Sequence, residues 1–122
     1  MTTSFAGLYL LLVAFSMLFQ VALILGAPWG HLTQGRTTRG PLPRRARSGA
    51  VLSLVILALM GAAILSAVGR WPGWPLWTGW LAMAMSGIAM LLNWITPSAA
   101  ERQLWGPVTT MMFLLALGVM AF

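Results

Sequence analysis

The chain has 122 residues, of which 60% are hydrophobic and only 7% are charged, and its formal net charge is +6. Soluble domains carry about 25% charged residues, so this chain has too few polar side chains to cover a water-soluble fold. The bilayer is therefore its natural solvent. It contains no cysteine, one His and one Glu, which excludes thiol chemistry and leaves almost nothing for a metal site or an acid–base pair. We expect no enzyme, no metal and no cofactor.

Four hydrophobic segments follow one another along the chain, roughly over 5–27, 49–69, 76–95 and 98–122. Each has close to the ~20 residues that a helix needs to cross the hydrocarbon. Because backbone groups in lipid must find their partners within the segment, the segments are predicted to be helices. The first lacks a basic n-region and a cleavage site, so we expect a retained helix. The predicted fold class is all-α: a polytopic membrane protein with a single transmembrane domain, 1–122, and an antiparallel bundle of four transmembrane helices.

The loop after the first helix, 28–48, indicates the orientation of the bundle. It holds five of the seven arginines, and Arg102 in the third loop lies on the same side, whereas the second loop holds only Arg70. The positive-inside rule places the arginine-rich side in the cytoplasm and both termini outside. We therefore predict a bacterial cytoplasmic (inner) membrane protein. Arginines confined to one loop do not form a folded basic surface, which argues against a nucleic-acid partner.

Several residues of this loop are candidates for interaction or capping. Arg44, Arg45 and Arg47 either contact anionic lipid headgroups or only enforce the topology. Ser48 is a candidate N-cap of the second helix. His31 is either a surface or capping residue or a group that titrates near neutral pH.

Tryptophans mark both ends of the predicted helices. One group is Trp71, Trp74 and Trp77, and the other is Trp29, Trp94 and Trp105. Indoles prefer the headgroup level, which favours two interfacial belts; a tryptophan-lined ligand pocket is the alternative.

Small residues predict how the helices pack. Gly79, Ala82, Ser86, Ala89 and Asn93 recur at intervals of three and four on the third helix, and small residues let helix backbones approach closely. The second helix has its own small residues, Ala58, Ala62 and Ser66, with Gly61 and Gly69 beside them. We therefore expect these two helices to pack as a hairpin.

Two amides, Gln20 and Asn93, lie near the predicted cytoplasmic ends of their helices. Either they form interhelical hydrogen bonds, or they face a polar pocket that opens to the cytoplasm. No ionisable residue lies at mid-membrane, which argues against proton-coupled transport.

The stretch NWITPSAAERQLWGP, 93–107, contains the only acidic residue, Glu101. Ser98 and Glu101 fit the S-x-x-E capping box, in which the serine accepts from the N3 amide and the glutamate returns to the N-cap amide. Glu101 could also pair with an arginine of loop one and tie the two loops together. Pro107 then either begins the spanning helix or lies within one continuous helix from about Ser98.

Three motifs, GAPWG (26–30), PLPRRAR (41–47) and NWITPSAAERQLWGPV (93–108), resemble those of an uncharacterised family of small bacterial four-helix inner-membrane proteins. The resemblance covers most of the chain. It implies the four-helix topology and the inner-membrane location, and it implies no activity.

The first functional hypothesis is a non-enzymatic accessory or interaction subunit, either in a larger membrane complex or as a homo-oligomer. It predicts that Gln20 and Asn93 are buried in pairs or against a partner. One alternative is an oligomeric transporter or channel for a small, uncharged or anionic solute, which predicts that they face a shared cavity and that the loop arginines attract anions. Another is a sensor of lipid or a hydrophobic ligand. The candidate site, at the predicted cytoplasmic face, comprises Gln20, Trp29, His31, Arg44, Arg45, Arg47, Asn93, Ser98, Glu101, Arg102 and Trp105.

Overall fold

The computed structural model describes residues 1–122 and is all-helical, with no strands. The four long helices are α1 (Thr2–Ile24), α2 (Arg44–Ala67), α3 (Leu76–Ile95) and α4 (Ala99–Ala121), and a short 3₁₀ turn, Gly30–Leu32, lies between α1 and α2. Each long helix is sufficiently long and apolar to cross a membrane. The predicted fold class, a bundle of four apolar helices, is confirmed.

The helices form a ring in which each packs on its neighbours in the chain and α4 also packs on α1. Phe5 at the start of α1 lies against Gly118 near the end of α4, so these two helices are antiparallel. We call the end with the 25–43 and 96–98 connections the loop end, and the opposite end, with both termini and the 68–75 turn, the terminal end.

A buried apolar core fills the half of the bundle nearer the terminal end. Tyr9, Ile64 and Ala116 are fully enclosed there, contributed by α1, α2 and α4. At Gly61 a Cβ atom would lie only 3.1 Å from a methyl group of Leu10, so the absence of a side chain permits the close approach of α2 to α1. Small residues thus set the distance between these helices.

The predicted small-residue face of α3 is confirmed over its first half. Gly79, Ala82 and Ser86 are the buried residues of this helix. Ala89 and Asn93 continue the stripe but are only half-buried, because α2 has diverged from α3 at this level. No residue from 51 to 59 of α2 or from 87 to 95 of α3 is buried.

The expected small face of α2 is wrong in its details. Ala58 is exposed, and Ala62 and Ser66 are half-buried. The buried face of the helix is instead Met60, Gly61, Ala63 and Ile64. The helix is rotated because α2 packs more closely on α1 than on α3.

The start of α2 also differs from the prediction. The helix begins at Arg44, directly after Pro43 as N-cap, and Ser48 lies inside it, donating to the carbonyl oxygen of Arg45 at 2.5 Å. Ser48 is therefore not the N-cap. Arginine is a good helix former, so the arginine run extends the apolar helix beyond the hydrophobic boundary.

Helix α4 is continuous from Ala99 through Pro107. A Cβ atom at Gly106 would lie 2.9 Å from the ring of Trp94, so this glycine lets the indole of α3 lie against the α4 backbone. The same indole donates to the Thr110 hydroxyl at 2.8 Å. Trp94 thus fastens α3 to α4 next to the proline.

The Tyr9–Ser86 hydrogen bond, 2.7 Å long, links α1 to α3 inside the core. Ser86 already donates its proton to the carbonyl oxygen of Ala82 at 2.9 Å, so the Tyr9 hydroxyl is the donor. Tyr9→Phe leaves Ser86 paired and should lower the free energy of unfolding by about 0.5–1 kcal/mol. Ser86→Ala leaves a buried donor unpaired and should cost about 1–3 kcal/mol.

Equilibrium unfolding in mixed micelles measures both costs. The double variant, which leaves no unpaired donor, should be less destabilised than the sum of the two single variants. Equal losses in the single variants would contradict the assigned direction of the hydrogen bond.

Candidate functional site

A cavity of about 750 Å³ lies between α2 and α3 at the loop end, where these helices have separated. Its floor is formed at mid-bundle by Met60, Ser86 and Met112, and its roof by loop residues such as Gly35 and Pro97. The walls are mostly apolar, with Ile56, Leu57, Ile88 and Leu92 among them.

Three polar side chains of the predicted site line this cavity together: Gln20 from α1, Asn93 from α3 and Glu101 from α4. Asn93 donates to the carbonyl oxygen of Ala89 at 2.7 Å. The Oε1 atom of Gln20 is buried and accepts no hydrogen bond. The two amides are therefore not paired with each other, and the cavity is the feature that they share.

Three of the six hydroxyl groups that line the cavity already donate hydrogen bonds within the protein. Ser16, Ser86 and Thr109 each donate to a backbone carbonyl oxygen one turn earlier in their own helix, at 2.6–2.9 Å. Such bonds satisfy the hydroxyl protons locally. These three hydroxyl protons are therefore not available to a ligand.

Glu101 is 6% exposed and lies in the first turn of α4. Its amide donates to the Ser98 hydroxyl at 3.2 Å, so the predicted N-cap is confirmed. The reciprocal half of the capping box is absent, because the Ser98 amide donates to the Thr96 hydroxyl at 3.3 Å. The carboxylate is thus free of the cap and turns toward the cavity.

The expected ion pair between Glu101 and a loop-one arginine does not form. The carboxylate oxygen Oε2 accepts instead from the backbone amide of Gly35, at 3.4 Å. Ser98 provides a second tie, since its hydroxyl donates to the carbonyl oxygen of His31 at 2.5 Å. The two loops are joined as expected, but by backbone groups instead of opposite charges.

The other loop residues of the predicted site lie outside the cavity. Trp29 is stacked on Phe19 with ring centroids 5.9 Å apart. His31 is half-buried, and its Nδ1 atom is enclosed without a hydrogen bond.

No arginine side chain lines the cavity. Arg44 and Arg45 are exposed at the start of α2. Arg47 donates to the carbonyl oxygen of Leu42 at 2.9 Å, and Arg102 donates to that of Thr96. The charge that faces the interior is therefore the carboxylate alone.

Trp105 departs from the belt prediction. It is only 7% exposed, packs edge-on against Phe19 with centroids 4.8 Å apart, and lines the cavity. The other six tryptophans are exposed, as interfacial indoles are expected to be. Trp105 differs because it faces α1 from the inner side of α4.

The sequence did not indicate that the Gly35 backbone amide would donate to Glu101 or that this loop would cover the cavity. Gln34 and Gly35 both adopt positive φ, 55° and 68°, and the side-chain amide of Gln34 donates to the carbonyl oxygen of Ala46 at 2.8 Å. The glycine could have signalled a tight turn, but nothing in the sequence indicated that the turn would fold back over α4.

The four apolar spans and the cavity between them define a multi-pass helical membrane protein with an internal space of ligand size. No group of three His, Cys, Asp or Glu side chains that could hold a metal ion comes together. No protein-family model, curated protein or solved structure matches the chain. The resemblance to the small four-helix family thus stays a prediction.

Ser98→Ala removes both the cap of α4 and the tie to His31. It should lower the free energy of unfolding by about 1–2 kcal/mol. Ser48→Ala, which removes an exposed bond within one helix turn, is the matched control and should change it by less than about 0.5 kcal/mol. Equal effects in mixed-micelle unfolding would show that Ser98 does not fix the loop end.

Proposed function

We propose that the protein binds a small amphipathic molecule inside its helix bundle, as a sensor or carrier of that molecule. The observation that supports this proposal is the shared cavity: Gln20, Asn93 and Glu101 come from three helices and face one space. An accessory subunit is the second hypothesis: because Gln20 and Asn93 do not bond to each other within the chain, it requires a partner protein that covers them.

The dimensions and lining of the cavity suit a ligand. Its volume of about 750 Å³ falls within the roughly 300–1,000 Å³ typical of small-molecule sites. Such sites combine apolar walls with a few polar groups that orient the ligand.

The extent of the cavity favours binding over an open channel. Its lining reaches only to mid-bundle, where Met60, Ser86 and Met112 form the floor, and the buried core closes the way to the terminal end. The diverging segments of α2 and α3 leave the cavity flanked by two helix faces that would lie in lipid. A hydrophobic molecule could therefore enter sideways from the bilayer.

Filling the cavity should abolish binding. Ala89 lines the cavity, so Ala89→Phe should exclude the ligand; Ala84, on the exposed side of the same helix, provides the control Ala84→Phe. Native mass spectrometry of protein gently extracted from its own membranes should show a small-molecule adduct on the wild type and on Ala84→Phe, and none on Ala89→Phe.

Identical spectra for the wild type, Ala84→Phe and Ala89→Phe would contradict the binding proposal. A stoichiometric protein companion in place of the adduct would restore the accessory hypothesis.

We also propose that the loop end faces the bacterial cytoplasm. Six of the seven arginines belong to this end, and only Arg70 belongs to the terminal end. Moving Arg36, Arg39, Arg44 and Arg45 into the 68–75 turn should invert or scramble the topology in reporter fusions to the C-terminus. An unchanged reporter pattern would remove the charge argument for this orientation.

A further inference from the structure

We propose that the ligand is an amphipathic organic cation, an apolar body with a protonated amine, whose ammonium group binds the carboxylate of Glu101 and the amide oxygens of Gln20 and Asn93. The inference rests on the proposed function, since it names the chemical class of the molecule that the cavity takes. The observation behind it is that the Glu101 carboxylate faces the cavity and the protein gives it no positively charged partner.

Glu101 is the only residue with a formal negative charge, and it is almost fully buried with no cation beside it. Its one donor, the Gly35 amide, is 3.4 Å away, which is longer than the roughly 2.9–3.0 Å of a good N–H···O bond. The oxygen Oε1 accepts no hydrogen bond from the protein and is not enclosed. A buried carboxylate is tolerated when it is paired, and a cation in the cavity would provide that pair.

The neighbouring amides of Gln20 and Asn93 also have oxygen atoms that accept no hydrogen bond. Gln20 has a buried oxygen without a donor, and its terminal torsion has a broad range. Asn93 uses its NH₂ group on Ala89, which leaves its oxygen open. An ammonium group has three donors and no acceptor, so its hydrogen-bonding chemistry complements the open oxygens of Glu101 and Asn93, and that of Gln20 once its amide turns toward the cavity.

The apolar walls of the cavity favour a ligand whose remaining part is also apolar. Ile56, Leu57 and Leu92 provide apolar contact, and Trp105 adds an aromatic surface close to Glu101. An anionic amphiphile would place its charge next to the carboxylate, while the arginines that could neutralise it lie outside the cavity. A neutral alcohol would leave the carboxylate without a counter-charge.

Entry from the lipid between α2 and α3 avoids the arginines of the loop end.

The test uses the full chain in phosphatidylcholine nanodiscs and three probes of equal chain length: decylammonium, decanol and decanoate. Native mass spectrometry measures the occupancy of each probe. The wild type should bind one decylammonium per chain at least about tenfold more tightly than decanol, because a charge-assisted hydrogen bond is strong, and decanoate should bind most weakly.

Glu101→Gln should abolish this preference while decanol binding persists, since glutamine has the same shape and suits the first turn of a helix. Gln20→Leu should reduce the preference in part and serves as a second variant if Glu101→Gln does not fold. Ala84→Phe should behave like the wild type, which controls for the effect of an added phenylalanine, and binding that persists in Ala89→Phe measures the partition of the probes into the lipid.

The outcomes separate this inference from the proposed function. Equal binding of decylammonium and decanol, lost in Ala89→Phe, would overturn the cation and leave the cavity as a binding site. A preference for decanoate would overturn it in the same way and indicate an anionic ligand. Binding of every probe that persists in Ala89→Phe would overturn both proposals.

Discussion

The hydroxyl of Ser98 holds the loop end together, because it accepts from the first turn of α4 and donates to the backbone of His31 in the long loop. One side chain therefore fixes both the start of a helix and the position of the segment above it. With the loop held there, Gly35 reaches Glu101 and the roof of the cavity is complete. The tie involves short polar side chains and backbone atoms, so it does not depend on the mobile tips of long charged residues.

The helices pack closely in the half of the bundle near the termini, whereas α2 and α3 leave a space between them in the half near the loops. Near the termini, small residues such as Gly61, Gly79 and Ala82 bring the helices close, and the Tyr9–Ser86 bond crosses the core. Beyond Ser86 the same face of α3 continues with Ala89 and Asn93. These residues are only half-buried, because α2 packs on α1 at this level and not on α3. The space exists because the small-residue face of α3 continues beyond the level at which α2 packs against it. The three polar side chains of the candidate site in this space, Gln20, Asn93 and Glu101, come from α1, α3 and α4.

Much of this architecture could be read from the sequence, since the four helices follow from hydropathy and the cap at Ser98 from the S-x-x-E spacing. The first half of the α3 face was also predictable, because it depends on one helix alone. The start of α2 at Arg44 could not be predicted from hydropathy, because arginines can extend a helix beyond its apolar segment. The rotation of α2, the burial of Trp105 and the fold of the loop over Glu101 depend on contacts between distant segments. Local spacing does not encode those contacts, so the choice between paired amides and a shared cavity stayed open.

The position of Trp94 has a mechanical consequence. Its ring lies on Gly106 and its indole nitrogen bonds Thr110, so α3 and α4 behave as one lever, while α1 and α2 form the other. At the loop end the two levers are also joined, because Phe15 and Phe19 of α1 pack on Trp105 of α4, so the open side of the bundle is the one between α2 and α3. A change in the width of the cavity would thus be a movement of one lever against the other about the α1–α4 contact. Pro107 lies within the α3–α4 lever, where the Trp94 ring packs on the neighbouring Gly106.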